Sequence, residues 1–186
     1  MNPTGARDRL CLHLTRCVDS HEAAMTADAL HFIDEHPDCL WRTCRQGHLT
    51  GSAWIVDADR SRVLLTHHHK LDRWLQLGGH ADGDPDMAAV ALREAAEESG
   101  LTNLRMVSGE LFDFDRHEIP ERGDEPAHWH FDFRFLVEAD PAEPLLISSE
   151  SKDLAWVEIG RVPTLNSEES MARLVRKTFA LPRAAV

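Results

Sequence analysis

The sequence predicts an α/β fold in which a mixed β-sheet lies between helical layers. Three observations predict it. Within His128 to Ala139, polar and apolar residues alternate from His128 to Phe135. Trp129, Phe131, Phe133 and Phe135 fall on one side, and His128, His130, Asp132 and Arg134 on the other, which is the two-residue period of a strand. Two apolar runs flank the turn Asp57-Ala58-Asp59-Arg60, a hairpin signal. Between these strand segments stands one central helical stretch, and a second amphipathic stretch closes the chain.

In chain order, residues 7–19 have helical spacing of Leu10, Leu14 and Cys17 or Val18. Residues 21–36 form a second expected helix with Met25, Ala29, Phe32 and Ile33 on one face, ended by His36-Pro37, because a residue before proline avoids the helical region. Residues 1–46 are therefore expected to be an N-terminal helical extension, and 47–186 the main domain. The extension could cover a sheet edge, make a dimer surface or shape a pocket, and the sequence does not choose. Strands are expected at Leu49–Asp57, Arg62–Thr66 and Trp74–Leu77, with His67-His68-His69 opening a polar loop. A strand broken near Gly109 is expected within Asn103–Phe114, a charged loop at Ile119–Pro126, a short strand at Leu154–Val157, and a helix at Ser167–Phe179 with Met171, Leu174 and Val175 inward.

The central stretch runs from Gly78 to Leu101. Asp84 suits an N-cap, Pro85 the first helical position, and Gly100 the left-handed residue that closes a helix. Glu94, Glu97 and Glu98 sit at i, i+3 and i+4, so a helix gathers them on one face. Leu92, Ala95 and Ala96 are expected to point the other way, toward the core. Three clustered carboxylates repel one another unless cations neutralise them. Hard divalent cations take oxygen ligands and also bind phosphate oxygens. Arg93 is placed to orient a carboxylate.

Composition bounds the rest. The chain has 186 residues, 42% hydrophobic content and a formal charge of −12. That is enough for one domain with a sizeable core. A surface so acidic disfavours a grip on duplex nucleic acid or anionic lipid, while a small anionic substrate is still accessible through bound metal. No apolar run approaches the ~20 residues of a membrane helix. Charged residues from Arg7 to Arg16 interrupt the N-terminus, unlike a signal peptide, so a cytoplasmic location is expected. Cys11, Cys17, Cys39 and Cys44 are expected as free thiols, since their spacing is unlike paired zinc knuckles.

The central stretch resembles the Nudix box: Gly, five residues, Glu, seven residues, Arg-Glu-apolar, any, Glu-Glu, any, Gly-apolar. Gly79, Arg93-Glu94-Ala95, Glu97-Glu98 and Gly100-Leu101 match, whereas the first Glu falls on Pro85, flanked by Asp84 and Asp86. The resemblance implies an α/β/α sandwich with the box as a loop–helix–loop. It implies metal-dependent hydrolysis of a pyrophosphate bond in a nucleoside diphosphate-linked substrate, with Mg2+ or Mn2+ held by Glu94, Glu97, Glu98 and the Gly79 carbonyl. It makes Glu97, Glu98, Glu150 and Arg93 the catalytic candidates, Glu150 being the first choice of base because a metal-saturated carboxylate is a poor one. Glu118, Glu121 and Glu125 are weaker candidates.

Twelve histidines are the other unusual feature. His80, His128 and His130, with Trp74, are expected to contact substrate. His80 with His69 and one of His128 or His130 could also hold a softer metal. Trp74, Trp129 or Trp156 could stack a base. A second enzyme reading is isopentenyl-diphosphate isomerase, which shares the fold and carries Cys-Gly-His where this chain has Gly78-Gly79-His80, without the cysteine. A third is a non-catalytic nucleotide-binding module. The expected partner is a small nucleotide, and homodimers are common among the proteins the box resembles.

Overall fold

Eight hydrogen-bonded strands and five α-helices appear among the described residues, 2–148 and 151–182, of the computed structural model. They belong to the α/β class with a mixed sheet that the sequence predicts. The described chain divides into two units. The first holds residues up to 52, 79–91 and 109–135, and the second 53–78, 92–108 and 136 onward.

The first unit begins with α1 (Thr4–Leu14) and α2 (Ser20–Glu35). The expected helix to residue 19 ends five residues early. Ala6 and Leu10 are buried, but Val18 is 99% exposed, so helical spacing there had no apolar surface to meet. Asp19 instead caps α2, its carboxylate accepting from the backbone N–H groups of His21 and Glu22. Met25, Ala29 and Ile33 are buried as expected, and Phe32 stacks on Phe131 with ring centroids 4.3 Å apart. Buried Glu22 accepts from His13 Nε2 at 2.8 Å and from the Phe114 N–H at 2.9 Å, joining both helices to β6 (Asp113–Ile119). β6 pairs antiparallel with β7 (His128–Glu138) from Asp113↔Arg134 to Ile119↔His128. The first residues of β1 (Gly47–Val56) and the end of β4 (Leu77–His80) complete this unit's strands.

The polar side of β7 is not a solvent face. Asp132 and Arg134 are both buried. Arg134 donates through Nε to Asp132 at 2.8 Å, Nη1 to Asp113 at 3.3 Å and Nη2 to Asp115 at 3.2 Å. Asp132 also accepts from the Ser52 hydroxyl at 2.6 Å and the Thr50 hydroxyl at 3.1 Å. Burial alone would lower the arginine's pKa, but Asp115, Asp132 and Asp113 outweigh it and hold the guanidinium above its ordinary range.

In the second unit β2 (Arg62–His68) pairs antiparallel with the end of β1, with β3 (Arg73–Leu75) and with β8 (Ser151–Glu158), and β5 (Arg105–Met106) pairs with the last residues of β7. The β1–β2 hairpin forms as expected, with Ile55 opposite Leu64 and Asp57 accepting from the N–H groups of Ser61 and Arg62. The expected strand Trp74–Leu77 is two: β3 (Arg73–Leu75) pairs with β2, and β4 pairs with β1. The chain changes partner at Gln76, which one regular strand cannot do. His67 and His68 extend β2 rather than opening a loop. The segment broken near Gly109 becomes β5 (Arg105–Met106) and β6. Ile55, Leu64, Leu77, Ala95, Leu101 and Val137 form the centre of this unit's core. A 3-10 turn, α4 (Val162–Leu165) and α5 (Glu169–Ala180) close it, and Trp54 Nε1 donates to Thr178 on α5 at 2.9 Å. Met171, Leu174 and Val175 are buried, as expected.

Removing the guanidinium that bridges three buried carboxylates has a measurable consequence. Arg134→Leu is expected to lower unfolding free energy by about 3–5 kcal/mol, the range for breaking a buried ion pair from one side. Urea denaturation checks it, and a loss below about 1 kcal/mol would show that the aspartates do not depend on this arginine.

Candidate active site

The acidic helix is α3 (Met87–Ser99). It starts later than the sequence suggests. Asp84 accepts from the Asp86 N–H at 2.9 Å, so it shapes the turn before the helix. Asp86 accepts from the Ala88 N–H at 3.1 Å and is the residue that caps it. Pro85 lies in the bend between them, outside the helix. The helix closes as expected at Gly100, whose φ of +74° is left-handed. A Cβ there would stand 2.7 Å from the Leu146 side chain, so glycine is demanded twice over. The Leu146 N–H donates to the Ser99 carbonyl at 2.8 Å, taking up one of the orphan carbonyls of the helix end.

The three box glutamates have graded surroundings. Glu97 is exposed, Glu94 is half-buried, and Glu98 is 7% exposed. Glu98 accepts from the Gly78 backbone N–H at 3.2 Å. Arg93 Nη2 donates to Glu94 at 2.9 Å. The expected core stripe is corrected: Ala95 is buried, but Leu92 and Ala96 are only partly so, and the buried line is Ala91, Ala95 and Ser99 at i, i+4 and i+8. That line passes closer to Glu98 than the expected one, which is why this glutamate alone of the three is drawn inside. Gly79 and His80 follow Gly78 at the end of β4.

The histidines gather in the first unit. His48, on β1, has ring centroids 4.9 Å from His80, 4.9 Å from His128 and 4.8 Å from His130. His80 lies 5.0 Å from His130, and His117 lies 5.5 Å from it. Burial lowers the pKa of His48 to about 4, assisted by His128. Burial, then Arg42, does the same for His80, and burial with the neighbouring rings also lowers that of His130. Low-dielectric surroundings disfavour imidazolium. His48 was not among the residues the sequence pointed to. The signal was present: His48, Thr50 and Ser52 alternate with Leu49, Gly51 and Ala53, a polar stripe matching that of β7.

The other candidates are more scattered. Trp74 stacks with His67 at 5.1 Å, and its carbonyl accepts from Asn166 at 3.1 Å. Trp129 is partly exposed with the Arg116 guanidinium 4.7 Å above it, and Trp156 packs against the second unit's core. His69 is not in the histidine group suited to a metal. Glu118, Glu121 and Glu125 are exposed, and Glu150 lies outside the described residues. The four cysteines form no disulfide, and burial pushes the Cys39 thiol up to about 12.

Residues 48–178 match the family model described as the NUDIX domain. This chain belongs to the Nudix family. It is 31% identical over 97 residues to "Probable DHNTP pyrophosphohydrolase" of Lactococcus lactis subsp. cremoris (strain MG1363), a match taking in 51% of this chain. The chain spans 56% of that relative's length. Among solved structures it is similar to a C. elegans Ap4A hydrolase, with TM-score 0.52, 18% identity, and coverage of 71% of this chain and 95% of that one. It is also similar to the E. coli dihydroneopterin triphosphate pyrophosphohydrolase, with TM-score 0.56, 16% identity, and coverage of 69% and 92%. At those identities the two structures speak for the fold. The box of this Nudix chain is therefore α3 together with the loop before it, and its one departure, Pro85, sits where two aspartates build the helix start.

The helix end is open to direct test. Gly100→Ala is expected to cost roughly 1–2 kcal/mol from the left-handed backbone alone, with further loss from displacing Leu146. Adding Leu146→Ala should recover only the second part. A single variant within about 0.5 kcal/mol of the parent in urea unfolding, the scatter of neutral surface changes, would show that the glycine is not required.

Proposed function

We propose that this Nudix chain hydrolyses the pyrophosphate bond of a nucleoside diphosphate-linked substrate, with Glu94, Glu97 and Glu98 holding Mg2+ or Mn2+. The observation that carries the reading is the acidic face of α3, on which one carboxylate is buried, one half-buried and one exposed. A donor set made only of carboxylate oxygens suits hard divalent cations. Such an ion, when bound, supplies charge neutralisation on phosphate oxygens and lowers the pKa of water.

The chain's own part is positioning. The Gly78 N–H fixes one oxygen of Glu98, and Arg93 holds Glu94, so two of the three carboxylates have their side-chain freedom removed in advance. Exposed Glu97 is the one free to meet solvent and ligand. Glu150 is our proposed base, from the resemblance alone. The same reading makes the protein a cytoplasmic enzyme for a small nucleotide rather than for duplex nucleic acid or membrane, and no described helix is long and apolar enough to cross a bilayer. A homodimer is the proposed assembly.

The test is a metal-by-substrate screen that includes dihydroneopterin triphosphate and Ap4A, after the names of the similar proteins. Glu97→Gln is expected to lose at least about tenfold to hundredfold in rate, the scale seen when metal holding is weakened, with its thermal unfolding unchanged. Full activity in that variant would end the reading. Conversion of isopentenyl diphosphate to its dimethylallyl isomer would favour the isomerase instead, and tight nucleotide binding without turnover across metals would favour a sensing module.

A further inference from the structure

We propose that His48, His128 and His130 form a binding site for a first-row transition-metal ion of the Zn2+ type, with a donor set unlike that of the three glutamates. One ligand nitrogen from each of the three lies within 4.8 Å of the others. His128 Nδ1 stands 2.9 Å from the Pro126 carbonyl oxygen, which can only accept. Nδ1 therefore carries the proton, and Nε2 presents its lone pair. A ring nitrogen tied to a backbone carbonyl, with the other left to coordinate, is the usual posture of a metal-bound histidine. His128 Nε2 lies 3.3 Å from His130 Nε2. Two nitrogens each ~2.0–2.1 Å from a tetrahedral ion sit about 3.3–3.4 Å apart.

His48 supplies the independent observation. It is 2% exposed, and neither ring nitrogen makes a well-formed hydrogen bond, the Cys44 backbone favouring its protonation only from outside that geometry. Burying an imidazole in that condition is costly, and native structures rarely leave such groups unsatisfied. The rest of the same polar stripe makes the contrast. Thr50 and Ser52, two and four residues along β1, both donate to Asp132, and Asp132 accepts from Arg134. The stripe is satisfied everywhere except where the imidazoles meet. Ring stacking accounts for their closeness but not for the unused nitrogens of His48. A nitrogen-only donor set suits Zn2+, Co2+, Ni2+ or Cu2+ and not Mg2+ or Ca2+. The His80 ring, 4.9 Å from His48 and 5.0 Å from His130, borders the same point.

The test uses the full chain, freed of metal by a chelator and titrated with Co2+ and then Zn2+. The expected result is one equivalent of Co2+ giving the visible bands of a tetrahedral nitrogen site, displaced by Zn2+, with Zn2+ raising the melting temperature. His48→Ala leaves a cavity where a buried ring stood, so its metal-free form is expected to melt below the parent, and the readout is that Zn2+ no longer raises its melting temperature. The variant should lose Co2+ affinity by at least 100-fold, as should His130→Ala. Glu97→Gln, by contrast, should bind Co2+ like the parent, which separates this site from the one proposed on α3. A parent spectrum unmoved by one equivalent of Co2+ would overturn the proposal. So would undiminished binding by His48→Ala, or a near-ultraviolet thiolate band placing the ion on Cys17 or Cys44.

Discussion

Burial of the polar side of β7 is the constraint on which the first unit depends. A strand with one apolar and one polar face ordinarily gives the polar face to water. Here most of the polar face is covered as well, so the polar atoms of buried His128, Asp132 and Arg134 need partners inside the protein. The partners come from the strands on either side. β6 contributes Asp113 and Asp115, and β1 contributes Thr50 and Ser52. Register is thereby fixed by chemistry as well as by shape. A slip of one residue in β6 would carry both aspartates away from the guanidinium.

The helix α3 obeys a different constraint: the same few turns must close against the core and hold three acids that range from exposed Glu97 to buried Glu98. Its limits are set by side-chain and backbone chemistry in turn. Asp86 begins it, and the left-handed Gly100 against Leu146 ends it. With both ends pinned, the rotation of the helix is no longer adjustable, and Glu98 must be buried if Ala91, Ala95 and Ser99 are. The bond from the Gly78 N–H reduces the penalty of that burial.

Much of this was legible in the sequence, and the failures share a cause. Period alone found β7, the β1–β2 hairpin, α2 and α5, because each has a strong one-sided apolar pattern. The box spacing found α3. Period failed where tertiary partners decide: α1 ended at Leu14 because nothing apolar awaits Val18, and Trp74–Leu77 split because two neighbouring strands compete for it. Asp84 and Asp86 are equally good caps by residue type, and only the backbone path around Pro85 distinguishes them. For the site, spacing identified Glu94, Glu97 and Glu98 but not their different burial. It identified His80, His128 and His130 but not His48, because the polar stripe of His48, Thr50 and Ser52 gains its meaning only beside the matching stripe of β7.

That last omission shows how a polar stripe should be weighed. Alternation says only that polar residues share a side. Whether the side is wet, self-neutralised or awaiting a ligand depends on whether donors and acceptors balance across the strands that flank it. At the Arg134 end they do: a permanent cation with five donors faces three carboxylates and two hydroxyls, and each group answers another. At the histidine end the inventory is imidazole against imidazole. A neutral imidazole has one donor and one acceptor, so a cluster of them can pair in sequence, as His128 does with Pro126 and His130, but His48 is left over. Adding another imidazole cannot cure that. A cation that accepts lone pairs from several nitrogens at once can, which makes the two ends of one stripe different in kind: one complete as folded, the other completed from outside.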